Sequence, residues 1–93
     1  MSYDKTNSKP VGYSQITSLS SAVGVGTIPA GSAYAVIHVE SQPVRWRDDG
    51  TNPTTSVGMY LAAGDVLTYD GDLLSIKFIE TAASAKLNIS YYA

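Results

Sequence analysis

The chain has 93 residues, a formal net charge of −2 and no cysteine. This length fits one domain, and the lack of cysteine excludes disulfides and zinc sites of the cysteine type. Charged residues make up only 15% of the chain, against about 25% in ordinary soluble domains, so we expect neighbouring subunits to cover part of the surface. A net negative chain also lacks the basic footprint of a nucleic-acid-binding protein.

The N-terminus does not have the charged-then-apolar pattern of a signal peptide, and no apolar run approaches the roughly 20 residues of a membrane span. We therefore expect a soluble protein that is made in the cytoplasm and has no membrane partner. Residues 1–10 are polar and end at Pro10. They predict an extended N-terminal arm, either disordered or ordered on a neighbouring subunit, and residues 11–93 then form a single folded domain.

From Val11 onward, turn signals built from Gly, Pro, Asn and Asp separate short segments rich in Val, Ile, Thr and Tyr. A spacing of about 8–12 residues between such turns is typical of an all-β sandwich or barrel. The pattern therefore predicts an all-β, antiparallel sandwich that is jelly-roll-like. In chain order, the predicted strands are 13–20, 33–40, 44–47, 57–61, 65–69, 74–80 and 86–92.

The most informative run is Val44–Thr54, which contains both arginines and the only tryptophan. A strand here places Trp46 on one face and Arg45 and Arg47 on the other, and the Asp-Asp-Gly that follows ends the strand in a polar loop. Tryptophan and arginine are enriched at binding hot spots. We interpret the run as a partner-binding site, with intrachain structure and sugar binding as alternatives, and its candidate residues are Arg45, Trp46, Arg47, Asp48 and Asp49.

Catalysis is disfavoured because no complete catalytic set is present. His38 is the only histidine and shares a strand face with Glu40; a histidine–glutamate pair could form there, but a hydrogen-bonded surface residue or a subunit contact is the simpler interpretation. No Gly-x-Ser-x-Gly nucleophile motif occurs, and Gly24-Val25-Gly26 lacks the third glycine and the helix of a dinucleotide site. The sequence predicts no enzyme activity and no cofactor.

Five aspartates fall in predicted turns, where aspartate side chains commonly accept hydrogen bonds from nearby backbone N–H groups. Calcium binding and paired-carboxylate glycoside hydrolysis are the alternatives, but the acids lack the spacing of a calcium-binding EF-hand loop. We therefore predict turn chemistry and no metal site for Asp48, Asp49, Asp65, Asp70 and Asp72.

One further pattern is spread over seven segments, residues 28–31, 35–40, 44–54, 57–59, 61–64, 78–80 and 85–92. In these segments the chain resembles a family of small proteins encoded in tailed bacteriophages and prophages. The Arg-Trp-Arg-Asp-Asp-Gly-Thr run is the most specific part, and the resemblance extends over residues 22–93 but not over residues 1–21.

The resemblance implies a minor, non-enzymatic component of the virion. Our first expectation is a capsid decoration (cement) protein, bound outside the head as a homotrimer that contacts the major capsid protein through the Trp46 run and the N-terminal arm. A tail, collar or baseplate component is the first alternative. A carbohydrate-binding module on the virion, using tyrosine and tryptophan stacking, is the second.

Overall fold

The computed structural model describes residues 8–93, and within this range the chain forms seven strands and no helix. All strand pairs are antiparallel, which confirms the predicted all-β class. The strands are β1 (Pro10–Ile16), β2 (Tyr34–Glu40), β3 (Val44–Arg47), β4 (Met59–Leu61), β5 (Val66–Tyr69), β6 (Lys77–Glu80) and β7 (Lys86–Tyr92).

The strands form two sheets, one in the order β1-β7-β2-β5 and the other in the order β4-β3-β6. The longest central pairing joins β2 to β7 from Tyr34↔Tyr92 to Glu40↔Lys86. The chain passes from one sheet to the other after β2, β4, β5 and β6. Because consecutive strands so often lie in opposite sheets, the sandwich depends mainly on contacts between residues distant in sequence.

The core lies between the sheets and follows the two-residue period of a strand. In β2, Ala35, Ile37 and Val39 are fully buried and alternate with the partly buried Val36 and His38. Burial removes their apolar surface from water, which is the main favourable contribution to folding. The other fully buried residues are Leu19, Val44, Ile76, Phe78, Ala85, Leu87, Ile89 and Tyr91.

The first predicted strand was placed too late in the chain. β1 begins at Pro10, which had been assigned to the arm, and ends at Ile16 instead of continuing to residue 20. Residues 17–23 leave this sheet because their backbone hydrogen-bonds to β6 in the three-stranded sheet. Glu80 N donates to Leu19 O at 2.9 Å, and Val23 and Phe78 exchange two backbone hydrogen bonds of 2.8 Å. Leu19 is therefore buried, although the two-residue period of the predicted strand 13–20 would place it on the same face as the exposed Tyr13.

The predicted strand 74–80 is shorter than expected, since β6 begins only at Lys77. The side chain of Asp72 accepts hydrogen bonds from Leu74 N at 3.0 Å and from Ser75 Oγ at 2.8 Å. These bonds hold a turn in place of the first strand residues. Leu74, which the two-residue period of the predicted strand 74–80 would place on the same face as the buried Ile76, is consequently 79% exposed.

Most of the predicted N-terminal arm, residues 1–7, lies outside the described residues. Where the described chain starts, Lys9 O accepts a hydrogen bond of 2.9 Å from Ala93 N, so the chain ends of the described domain lie together. In residues 8–93 there is no helix with the length and apolar character needed to cross a membrane.

Candidate binding site

An apolar pocket of about 370 Å³ opens beside Trp46, at the end of β3. Its apolar walls include Val57 and Met59, whose side chains are 53% and 60% exposed. Four of the five residues predicted to form the contact site line it, and Arg45 does not. The lining residues are Trp46, Arg47, Asp48, Asp49, Val57, Gly58 and Met59.

Trp46 is positioned by cross-strand pairing in the smaller sheet. It lies opposite Met59 on β4 and Phe78 on β6. Its ring meets that of Tyr69, from the other sheet, edge to face, with centroids 5.9 Å apart and planes inclined at 71°. This geometry is favourable for aromatic pairs. Trp46 therefore packs against the core on one side and contributes to the pocket on the other.

Tyr69 joins the two sheets at the pocket. Its hydroxyl donates a hydrogen bond to Oδ2 of Asp48 at 2.8 Å and lies 3.3 Å from the carbonyl oxygen of Asp72. Burial, together with the hydrogen bond to Asp48, raises the pKa of Tyr69 to about 12. A Cβ at position 71 would lie 2.5 Å from the Tyr69 hydroxyl, so Gly71 is needed for the ring to occupy this place.

Arg45 holds the loop that forms the far wall of the pocket. Its Nη1 donates to Gly58 O at 3.0 Å and its Nε donates to Thr55 O at 3.3 Å. The guanidinium also lies over the ring of Tyr60, 5.2 Å from the centroid, within cation–π range. These contacts fix the segment that leads into β4, so Arg45 positions the wall of the pocket. Its predicted contact with a partner stays a prediction.

Gly58 allows this loop to pack closely on β3. Its φ is +142°, a conformation that other residues rarely adopt, and a Cβ there would come within 3.2 Å of atoms of Arg45, Trp46 and Pro53. Earlier in the loop, Thr54 Oγ1 accepts a hydrogen bond from Val57 N at 2.9 Å. The segment that carries Val57 is therefore fixed by Thr54 before it and by the contact of Arg45 with Gly58 after it.

Arg47 and Asp49 form a two-point ion pair at the rim of the pocket. Nε of Arg47 donates to Oδ1 of Asp49 at 3.0 Å and Nη2 donates to Oδ2 at 2.5 Å. These hydrogen bonds lower the pKa of Asp49 and raise the pKa of Arg47. Both side chains are accessible to solvent, so the pair orients the rim and contributes little to stability.

His38 is not part of this pocket and lies on β2, in the larger sheet, where it alternates with the buried Ile37 and Val39. Its cross-strand neighbours are Asn88 and Val66. Asn88 Nδ2 donates to Glu40 Oε1 at 2.8 Å and lies 3.4 Å from His38 Nδ1. Asn88 thus lies between His38 and Glu40, the two residues that the sequence grouped as a potential pair. The residues opposite His38 on the neighbouring strands, Asn88 and Val66, are not serines.

Two of the predicted turn aspartates, Asp65 and Asp72, accept backbone N–H hydrogen bonds, as predicted. Asp48 and Asp49 instead accept hydrogen bonds from the side chains of Tyr69 and Arg47. Asp65 Oδ2 accepts from Ala62 N at 2.8 Å, and Asp72 stabilises the turn before β6. The hydrogen bonds from Ser75 and from the backbone of Leu74 lower the pKa of Asp72. Within residues 8–93, no group of three or more histidine and acidic side chains is arranged to hold a metal ion.

The sequence did not predict the contributions of Val57, Met59 and Tyr69 to this site. Val57 and Met59 come next to Trp46 only because β4 returns along β3 after an 11-residue loop, residues 48–58. Tyr69 arrives from the opposite sheet. The alternation of residues within each strand does not indicate which strands become neighbours, so it could not predict either contact.

Comparison with protein-family models, with curated proteins and with solved structures finds no significant match to this chain.

Proposed function

We propose that this protein is a non-enzymatic structural component of a tailed-bacteriophage virion, and that it binds the outside of the head as a capsid decoration protein. One observation carries the proposal: the pocket lies on the Arg-Trp-Arg-Asp-Asp run, the same run that is most specific in the resemblance to small virion proteins. A partly buried tryptophan between arginine and exposed apolar side chains is typical of a protein–protein contact. The predicted partner is the major capsid protein.

The strand order supports a jelly-roll assignment, a fold common in viral capsid proteins. Val23 bridges the free side of β6. If this segment is counted as a reduced eighth strand, the sheets become β1-β7-β2-β5 and Val23-β6-β3-β4, the order expected for two interlocked Greek keys. A fold of this kind serves many functions, so it favours a virion role without identifying one.

We also propose that the protein assembles as a homotrimer through the side of the sandwich formed by the edge strands β4 and β5. In the described residues, each of these strands pairs with a neighbour on one side only. Tyr60 and Val66, on these strands, are 53% and 58% exposed. Unpaired edges and exposed apolar side chains favour association, and subunit contacts would add to the stability of a small domain.

The test of the head assignment uses virions of a phage that normally encodes this protein, prepared from a mutant in which its gene has been deleted. Purified protein, added back, should cosediment with isolated heads and not with isolated tails. Binding to tails alone would establish the collar, tail or baseplate alternative. Failure to bind either fraction, with the protein folded, would refute a virion role.

A carbohydrate-binding role is the second candidate, because the pocket places Trp46 beside the carboxylates of Asp48 and Asp49. Aromatic faces stack on sugar rings and carboxylates accept hydrogen bonds from sugar hydroxyls. Binding on a glycan array that is lost in Trp46→Ala, with the variant still folded, would support this role over protein docking.

A further inference from the structure

The charges around the pocket leave one carboxylate without a cationic partner among the described residues. Arg47 is engaged on two points by Asp49, so these two charges largely cancel. Asp48 also lines the pocket, and the hydrogen bond it receives comes from the neutral hydroxyl of Tyr69. The lining therefore carries a net charge of −1, and Asp72 lies close by, with its carbonyl oxygen 3.3 Å from the same hydroxyl.

The pocket that Asp48 lines also has apolar walls. Trp46, Val57 and Met59 provide a surface from which water is readily displaced. An elongated side chain with an apolar stem and a cationic end matches both parts of the pocket, since lysine and arginine bury their stems while keeping the charged group near water or a carboxylate.

We propose that the pocket receives an arginine or lysine side chain of a partner protein, with the stem against Trp46, Val57 and Met59 and the cationic group at Asp48. This inference rests on the proposed function, since it specifies the chemistry of the partner at the same site. The occupant is a protein side chain rather than a free cation, because the apolar walls contribute only when a hydrocarbon stem covers them.

The site is held in shape before any partner arrives. Arg45 holds the wall through the carbonyl groups of Thr55 and Gly58, and Tyr69 holds both the Trp46 ring and the Asp48 carboxylate. Binding therefore requires little ordering of the pocket, which lowers the entropic cost of association.

The only tryptophan of the chain lies in the pocket, so its fluorescence and indole N–H resonance report occupancy directly. The probes are Nα-acetyl-arginine amide and its neutral isostere Nα-acetyl-citrulline amide. We expect a saturable Trp46 response to the arginine probe and about tenfold weaker binding of the citrulline probe, the factor expected for loss of one charge-assisted hydrogen bond.

The matched variants are Asp48→Asn and Asp65→Asn. Asp48→Asn should weaken arginine binding about tenfold, whereas Asp65→Asn, at the other end of β5, should leave it unchanged. Equal binding of the two probes, an unaltered affinity in Asp48→Asn, or no Trp46 response up to the solubility limit of the arginine probe would each overturn the inference. Since the titration uses the isolated protein, its failure is distinguishable from failure to bind phage heads.

Discussion

The hydroxyl of Tyr69, on the edge strand of one sheet, donates a 2.8 Å hydrogen bond to Asp48, which follows the central strand of the other sheet. The same tyrosine ring packs edge to face on Trp46. The pocket is therefore formed at a junction of the two sheets, and its shape depends on how they pack.

Removing the Tyr69 hydroxyl should destabilise the protein. We expect Tyr69→Phe to lower the free energy of unfolding by about 1 kcal/mol, because it removes one hydrogen bond while keeping the ring. Chemical denaturation followed by Trp46 fluorescence measures the change. The control Tyr60→Phe keeps the ring over Arg45 and should alter stability by less than about 0.5 kcal/mol; equal losses in the two variants would contradict the role assigned to Tyr69.

The same group predicts a loss of stability at alkaline pH. The pKa of Tyr69 is raised to about 12 from a reference value of 10.0. Because the folded state holds this proton more tightly, its contribution is fully present below pH 10 and is lost as the pH rises from about 10 to 12. Burial also raises the pKa of Tyr91.

Denaturation curves measured across this alkaline range test the linkage. The free energy of unfolding should fall with rising pH in the wild type and fall less steeply in Tyr69→Phe, where Tyr91 still contributes. Identical slopes in the two proteins would show that the Tyr69 proton is not linked to folding.

Gly58 should be less tolerant of substitution than a glycine in an open turn. Gly58→Ala introduces a Cβ at φ +142° within 3.2 Å of three neighbouring groups, whereas Gly26→Ala meets nothing within 4 Å at φ +82°. We expect a loss of about 2 kcal/mol or more for the first and about 1 kcal/mol for the second. The Trp46 indole resonance should shift only in Gly58→Ala, and the reverse order of stabilities would refute close packing of this loop.

Exposed apolar side chains at the pocket should contribute to partner binding without contributing much to folding. We expect the double variant Val57→Ala/Met59→Ala to bind phage heads about tenfold more weakly, the size of a modest hot-spot effect. Leu74→Ala removes a side chain that is 79% exposed and lies outside this pocket, so it should bind like the wild type. Cosedimentation at a series of protein concentrations gives both affinities.

Much of the fold was predictable because local patterns agree with the burial that the sheets require. The strands 44–47 and 86–92 were predicted at their observed bounds, and the core face of β2 followed from its alternation. The first strand was misplaced because the fate of Leu19 is decided by a backbone bond to Glu80, about 60 residues away in the chain. No local pattern contains that information.

Only part of the candidate site was predictable from the sequence. The composition of the Trp46 run indicated a contact surface, and four of its five candidate residues line the pocket. Sequence alone does not reveal that the guanidinium of Arg45, the fifth candidate, donates to the carbonyl groups of Thr55 and Gly58. Val57 and Met59 reach the site through strand pairing, which a single sequence does not specify.

The copy number of the protein in purified virions, measured by quantitative mass spectrometry against the major capsid protein, tests the central proposal most directly. A decoration protein repeats one contact over the whole capsid lattice, so on the order of hundreds of copies per particle are expected. A copy number of about a dozen or fewer, as in a single ring, or absence from the particle, would contradict attachment to the head surface.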